Sequence, residues 1–109
     1  MAKHNFGIME YIPVHGERYD NYEPWHYSCI CVDDDFIEPL LSKFGSIDLF
    51  WHSVDVPGKG LAYCGITLIP PESIDAMIQI IDKIPELSHL EKLLSGARAQ
   101  NKYVIHFGI

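Results

Sequence analysis

Apolar residues recur along this chain at two spacings. Between residues 70 and 100 the spacing is helical. Ile74, Met77, Ile78, Ile81 and Ile84 fall on one face, and so do Leu87, Leu90, Leu94 and Ala97. Pro70-Pro71-Glu72 opens the first of these helices, because the fixed φ of proline suits the first helical position, and Pro85 ends it. The expected helices are 72–84 and 87–100. A shorter one is expected over 35–44, where Phe36, Ile37, Leu40, Leu41 and Phe44 keep the same spacing. Asp33, Asp34 and Asp35 offer N-caps for it, and Pro39 lies near its first turn. Gly45 reads as a left-handed residue closing that helix.

Elsewhere the spacing is that of strands, expected at 26–32, 47–52, 61–69 and 102–108. Pro57-Gly58-Lys59-Gly60 forms the turn of a hairpin between the second and third, and lacks the spacing of a phosphate loop. Residues 6–12 read as a short N-terminal strand, and 13–24, with Gly16, Asp20 and Asn21, as a long loop. From residue 26 the order is β-α-β-β-α-α-β. This is an α+β chain on the ferredoxin-like split plan, an antiparallel sheet with helices on one face, preceded by a short N-terminal strand or loop segment. On that plan the strands 26–32 and 61–69 are central neighbours. The 109 residues make a single domain, 1–25 being an N-terminal segment and 26–109 the core.

Strand alternation groups the side chains by face. Cys64, Ile66 and Leu68 are assigned to the helices, which turns Tyr63, Gly65 and Thr67 outward. Tyr103, Ile105 and Phe107 inward turn Val104 and His106 outward. Ile47, Leu49 and Trp51 inward turn Asp48, Phe50 and His52 outward, and Ile30 and Val32 inward turn Tyr27, Cys29 and Cys31 outward. The second face, open or covered by the N-terminal segment, then carries His52, His106, Cys29 and Cys31. That set supports one reading as a small enzyme or ligand-binding domain, with a histidine as acid or base and a thiolate as nucleophile. Another reading is a structural homodimer joined through the same face.

Charge adds a different candidate. The net charge is −7, and residues 1–60 carry −6 of it. Between Glu17 and Glu38 seven carboxylates accompany one basic residue, interleaved with Tyr19, Tyr22, Trp25, Tyr27 and Phe36. Such a surface repels nucleic acid and anionic lipid and attracts a basic protein, with aromatic side chains as anchors. The expected contact residues are Tyr22, Trp25, Asp33, Asp34, Asp35 and Glu38. No metal or other cofactor is expected. Asp33-Asp34-Asp35 with Glu38 lacks the spaced pattern of a calcium loop, and Cys29-x-Cys31 is not a zinc pair.

An odd count of three cysteines and no apolar leader point to reduced thiols and a cytoplasmic location. No stretch is apolar for the ~20 residues that span a bilayer. In size, charge and lack of catalytic motifs the chain resembles bacterial immunity proteins, small acidic partners that neutralise basic toxin nucleases. That resemblance rests on no aligned residue and implies a protein-binding role. The leading expectation is therefore an acidic binding module for a basic partner.

Overall fold

The N-terminal strand runs through the middle of the sheet. The computed structural model describes residues 2–109. In it β1 (Lys3–Ile8) pairs on one side with β2 (Ile30–Asp33) and on the other with β6 (Val104–Phe107). Beyond β6 lie β5 (Ile66–Ile69), β3 (Asp48–Trp51) and the edge strand β4 (Pro57–Lys59). All five pairings are antiparallel, in the order β2-β1-β6-β5-β3-β4. The chain is α+β as expected, and β3 and β5 are neighbours as the hairpin requires. The strand order differs from the ferredoxin-like plan. The strand expected at 26–32 stands at an edge, separated from the one expected at 61–69 by β1 and β6. The cause is β1, whose two rows of backbone donors and acceptors are both satisfied when it sits between β2 and β6.

The helices follow their apolar stripes. α1 (Asp34–Ile37) and α2 (Leu41–Phe44) are joined by a 3-10 turn at Glu38–Leu40, since Pro39 supplies no N–H to continue an α-helix. Asp33 caps α1 by accepting from the backbone N–H of Asp35 at 3.1 Å. Gly45 closes α2 with a right-handed φ of −63°, not the left-handed conformation expected. α3 (Pro71–Ile81) and α4 (Ser88–Ala99) are linked through the 3-10 turn Pro85–Leu87. Their buried positions, Ile74, Met77, Ile81, Leu90, Leu94 and Ala97, pack with Phe6, Val32, Leu49, Ile69 and Val104 of the sheet. Each fully buried Leu or Ile side chain contributes about 1.5–3 kcal/mol. Ser73 fixes α3 to the sheet, its hydroxyl donating to the carbonyl of Asp48 at 2.6 Å. No helix of the described residues is long and apolar enough to cross a membrane.

The second face is covered, as one of the two expectations had it. Ile66, Leu68, Ile105 and Phe107 form a separate apolar cluster there with Met9, packed against Tyr19, Tyr27, Cys29, Phe50, Val54 and Tyr103. The covering layer comes from the segment between β1 and β2. Gly7 permits its close approach, because a Cβ there would meet the Cys29 sulfur and the Tyr27 Cβ at 2.7 Å. Two assignments of strand face are therefore reversed. Ile66, Leu68, Ile105 and Phe107 face this loop, while Ile69 and Val104 join the helix-side cluster, with Thr67 and His106 alternating in step with them. All four residues of β5 and all four of β6 are buried. A strand buried on both sides carries no polar face to mark its orientation.

Several boundaries also move. The expected 6–12 strand is Lys3–Ile8, and 26–32 shortens to Ile30–Asp33 behind a 3-10 turn at Pro24–His26. Of 61–69 only Ile66–Ile69 is strand, because the backbone N–H of Gly65 turns back to the carbonyl of Ala62 at 3.0 Å. The chain reverses after β3 at His52, whose φ is +65°, and Pro57–Lys59 is strand rather than hairpin tip.

Candidate functional site

The residues of the enzyme reading are not brought together. His106 is fully buried beneath the helices, its ring 4.9 Å from that of Phe6. His52 holds the loop on the other face instead. Its Nδ1 donates to the carbonyl of Tyr19 at 3.1 Å and lies 3.1 Å from Asp20 Oδ1, and its Nε2 accepts from the N–H of Ile66. Cys29 is half-buried under the loop, and burial, then the neighbouring Cys31, pushes its thiol up to about 11. Cys31 is exposed, its thiol donating to Asn5 Oδ1 at 3.0 Å, and Cys64, expected under the helices, is exposed as well. In native protein near pH 8, alkylation is expected to label Cys31 and Cys64 quickly and Cys29 only on unfolding. Peptide mass mapping checks this, and early modification of Cys29 would contradict the packing described.

His106 belongs to a buried relay. The N–H of Ala62 donates to Thr67 Oγ1 at 2.9 Å, which frees the Thr67 hydroxyl proton for His106 Nδ1 at 3.1 Å. His106 Nε2–H then donates to His4 Nδ1 at 2.8 Å, and His4 Nε2–H to Asp34 Oδ1 at 2.8 Å. The phenol of Tyr63 donates to Asp34 Oδ2 at 2.7 Å. The tautomers follow from this order of partners. His4, Thr67 and His106 have no exposed surface. Burial, and secondarily His4, pushes His106 down to about 3. The hydrogen bonds from His4 and then Tyr63 hold the Asp34 carboxyl below its ordinary range, and that carboxylate raises Tyr63 to about 12. A substrate has no route to the two rings. The relay ties β1, β5, β6 and the start of α1 together.

The acidic candidates divide in the same way. Asp34 serves the relay, and Asp33 caps α1 with Lys3 Nζ at 4.0 Å. Asp35 and Glu38 are exposed. Tyr22 is half-exposed, its hydroxyl accepting from Asn5 Nδ2 at 2.8 Å and its ring edge-on to Phe107. Trp25 stands in solvent on the 3-10 turn. Asp33 pairs with Lys3 at the start of β1, whereas Trp25 belongs to the loop near its end. The expected surface is thus spread along a strand about 17 Å long, with Tyr22 at Asn5 between the two groups.

What the loop end gathers is a groove. One depression of about 300 Å³ is lined by Met9, Glu10, Tyr11, Glu17, Tyr19, His26 and Tyr27. A second, of about 230 Å³, shares Glu10, His26 and Tyr27 and continues to Ile8, Ser28 and Leu93 of α4. Glu17 Oε1 accepts from the Val14 N–H at 3.3 Å and the Tyr19 hydroxyl at 3.1 Å. Burial and then Glu17 push Tyr19 up to about 12, and burial and then Glu23 raise Tyr27. Arg18 is engaged by both oxygens of Asp20, at 2.9 and 3.0 Å.

The sequence reading missed His4 and Thr67 as partners of His106, Tyr63 as a partner of Asp34, and Glu10, Tyr11 and Glu17 as groove residues. One signal was there: His4 shares the alternation of Phe6 and Ile8 and so had to join their buried face. Among the described residues no group of three or more His, Cys, Asp or Glu side chains is placed to hold a metal ion. Comparison with protein-family models, with curated proteins and with solved structures finds no match.

Proposed function

We propose that this protein is a binding module that engages a basic protein surface through the loop of residues 9–29. The observation that carries this reading is a set of large side chains the loop leaves in solvent. Trp25 is 70% exposed, Tyr11 86%, Ile12 63% and Val14 55%. The loop already buries Tyr19 and Tyr27 against the sheet, so its own packing gives no reason for the other four to stay outside. Exposed apolar surface of this kind marks an interaction site. Glu10, Glu17, Asp20 and Glu23 lie on the same loop, with Arg18 its one Lys or Arg, so a positive partner is favoured. Asp35 and Glu38 act at a distance, as steering charges. Inhibition of a basic toxin in the cytoplasm, in the manner of immunity proteins, is the form supported by the size, the net charge of −7 and the three free thiols.

A partner captured from the native host tests the proposal through its kinetics. Association is expected to slow as salt rises, because exposed charges are screened beyond about 8 Å at physiological ionic strength. Trp25→Ala is expected to cost about 2 kcal/mol, almost all in faster dissociation. A partner indifferent both to salt and to Trp25 would rule the proposal out.

A further inference from the structure

The two depressions at the loop end meet at Glu10, His26 and Tyr27. Their carboxylates are not neutralised by this chain. Among the described residues Glu10 makes no ion pair, and Glu17 uses only its Oε1 internally. Four of the eight Lys and Arg residues are engaged elsewhere, Arg18 with Asp20, Lys3 with Asp33, Lys59 with Asp48 and Arg98 with Asp75, and none of the eight lines either depression. Two of the aromatic walls, Tyr19 and Tyr27, pack against the second apolar cluster, and Tyr11 stands in solvent. The site is therefore an open groove walled by Tyr11, Tyr19 and Tyr27 with two carboxylates, one of them unpaired.

We infer that this groove is a socket for one arginine side chain of the partner. The guanidinium lies between Glu10 and Glu17, and the methylene stem runs along Tyr27 and Met9. The inference rests on the binding-module reading and names the group that reading leaves open. Arginine fits better than lysine for three reasons. Its planar fork carries five donors, enough to serve two carboxylates at once. Its face stacks on tyrosine rings. It is more weakly hydrated than an ammonium, so it loses less on entering a shallow groove.

The test uses the intact protein and three blocked pentapeptides, each with one central side chain between glycines: arginine, lysine or the uncharged isostere citrulline. Amide chemical shifts are followed by NMR during titration. The arginine peptide is expected to shift residues 9–11, 17–19 and 26–28, with the lysine peptide about fivefold weaker and citrulline weaker still. Glu10→Gln is expected to weaken the arginine peptide about fivefold. Glu10 holds no internal partner, so this variant keeps the fold. Glu17→Gln, which also loosens Val14 and Tyr19, is the secondary variant. Equal binding of citrulline, shifts spread evenly to Asp35, Glu38 and Asp82, or no effect of Glu10→Gln would each overturn the socket. The two readings fail separately. A partner that depends on Trp25 and salt but ignores Glu10→Gln keeps the module and removes the socket.

Discussion

Acidification from pH 7 to pH 3 is expected to remove on the order of 4 kcal/mol of folding stability through His106 alone. In the unfolded chain this imidazole takes a proton near its ordinary value of 6.5, and in the folded protein only near 3. Between those values the unfolded state holds the extra proton, so every step towards acid favours unfolding. The contribution is complete above about pH 6.5 and is lost as pH falls to 3. Asp34 acts with the same sign. Its folded carboxyl is held below the ordinary range by His4 and Tyr63, so below about pH 4 the unfolded chain again binds the proton first.

The relay explains why the cost is large. Facing His106 are His4 from β1 and Thr67 from β5, and beyond them Asp34 and Tyr63. A proton on His106 would place a charge without exposed surface, 2.8 Å from the His4 ring and with no carboxylate of its own. Urea unfolding at a series of pH values is the measurement. His106→Asn removes the titrating group, and is expected to lower stability at pH 7 while flattening the slope between pH 6.5 and 3. A wild-type curve flat over that window would refute a buried neutral His106.

The relay also shows which parts of the molecule could be read in advance. α3 and α4 were legible because their apolar residues occupy one face and the other is charged. β5 and β6 were legible as strands but not by orientation, since Ile66-Thr67-Leu68-Ile69 and Val104-Ile105-His106-Phe107 are buried on both sides. The reversed faces moved His106 from an open surface to the helix-side core. Its partner His4 lies 102 residues away in sequence, and only the placement of β1 between β2 and β6 joins them. The acidic-aromatic stretch was visible, but folding divides it. Asp33 and Asp34 become caps and relay partners at one end of β1, while Tyr27 and Glu17 collect with Glu10 and Tyr11 at the other. A charge pattern reports what the surface contains, and the strand register decides which charges meet.

Gly108→Ala is expected to destabilise the protein by roughly 3 kcal/mol, because it forces backbone into backbone. Past the end of β6 the chain follows the turn before β5. The Gly108 N–H bonds to the carbonyl of Gly65 at 2.8 Å, and that of Ile109 to the carbonyl of Tyr63 at 3.0 Å. A Cβ on residue 108 would lie 2.1 Å from the Tyr63 carbonyl oxygen and 2.7 Å from its carbon. No rotamer relieves that contact, so the turn at 62–65 must move. The movement strikes both ends of the relay, since Ala62 sets the Thr67 hydroxyl and Tyr63 holds Asp34. The melting temperature is expected to fall on the order of 15 °C for a domain of this size. Gly96→Ala is the matching control. Gly96 is inside α4, the nearest atom to its added Cβ is Ile8 Cδ1 at 4.0 Å, and alanine is the better helix former by about 1 kcal/mol. The same methyl group should therefore stabilise at one glycine and destabilise at the other. Calorimetry of the two variants decides it, and a Gly108→Ala protein melting with the wild type would mean that the turn does not lie against the end of β6.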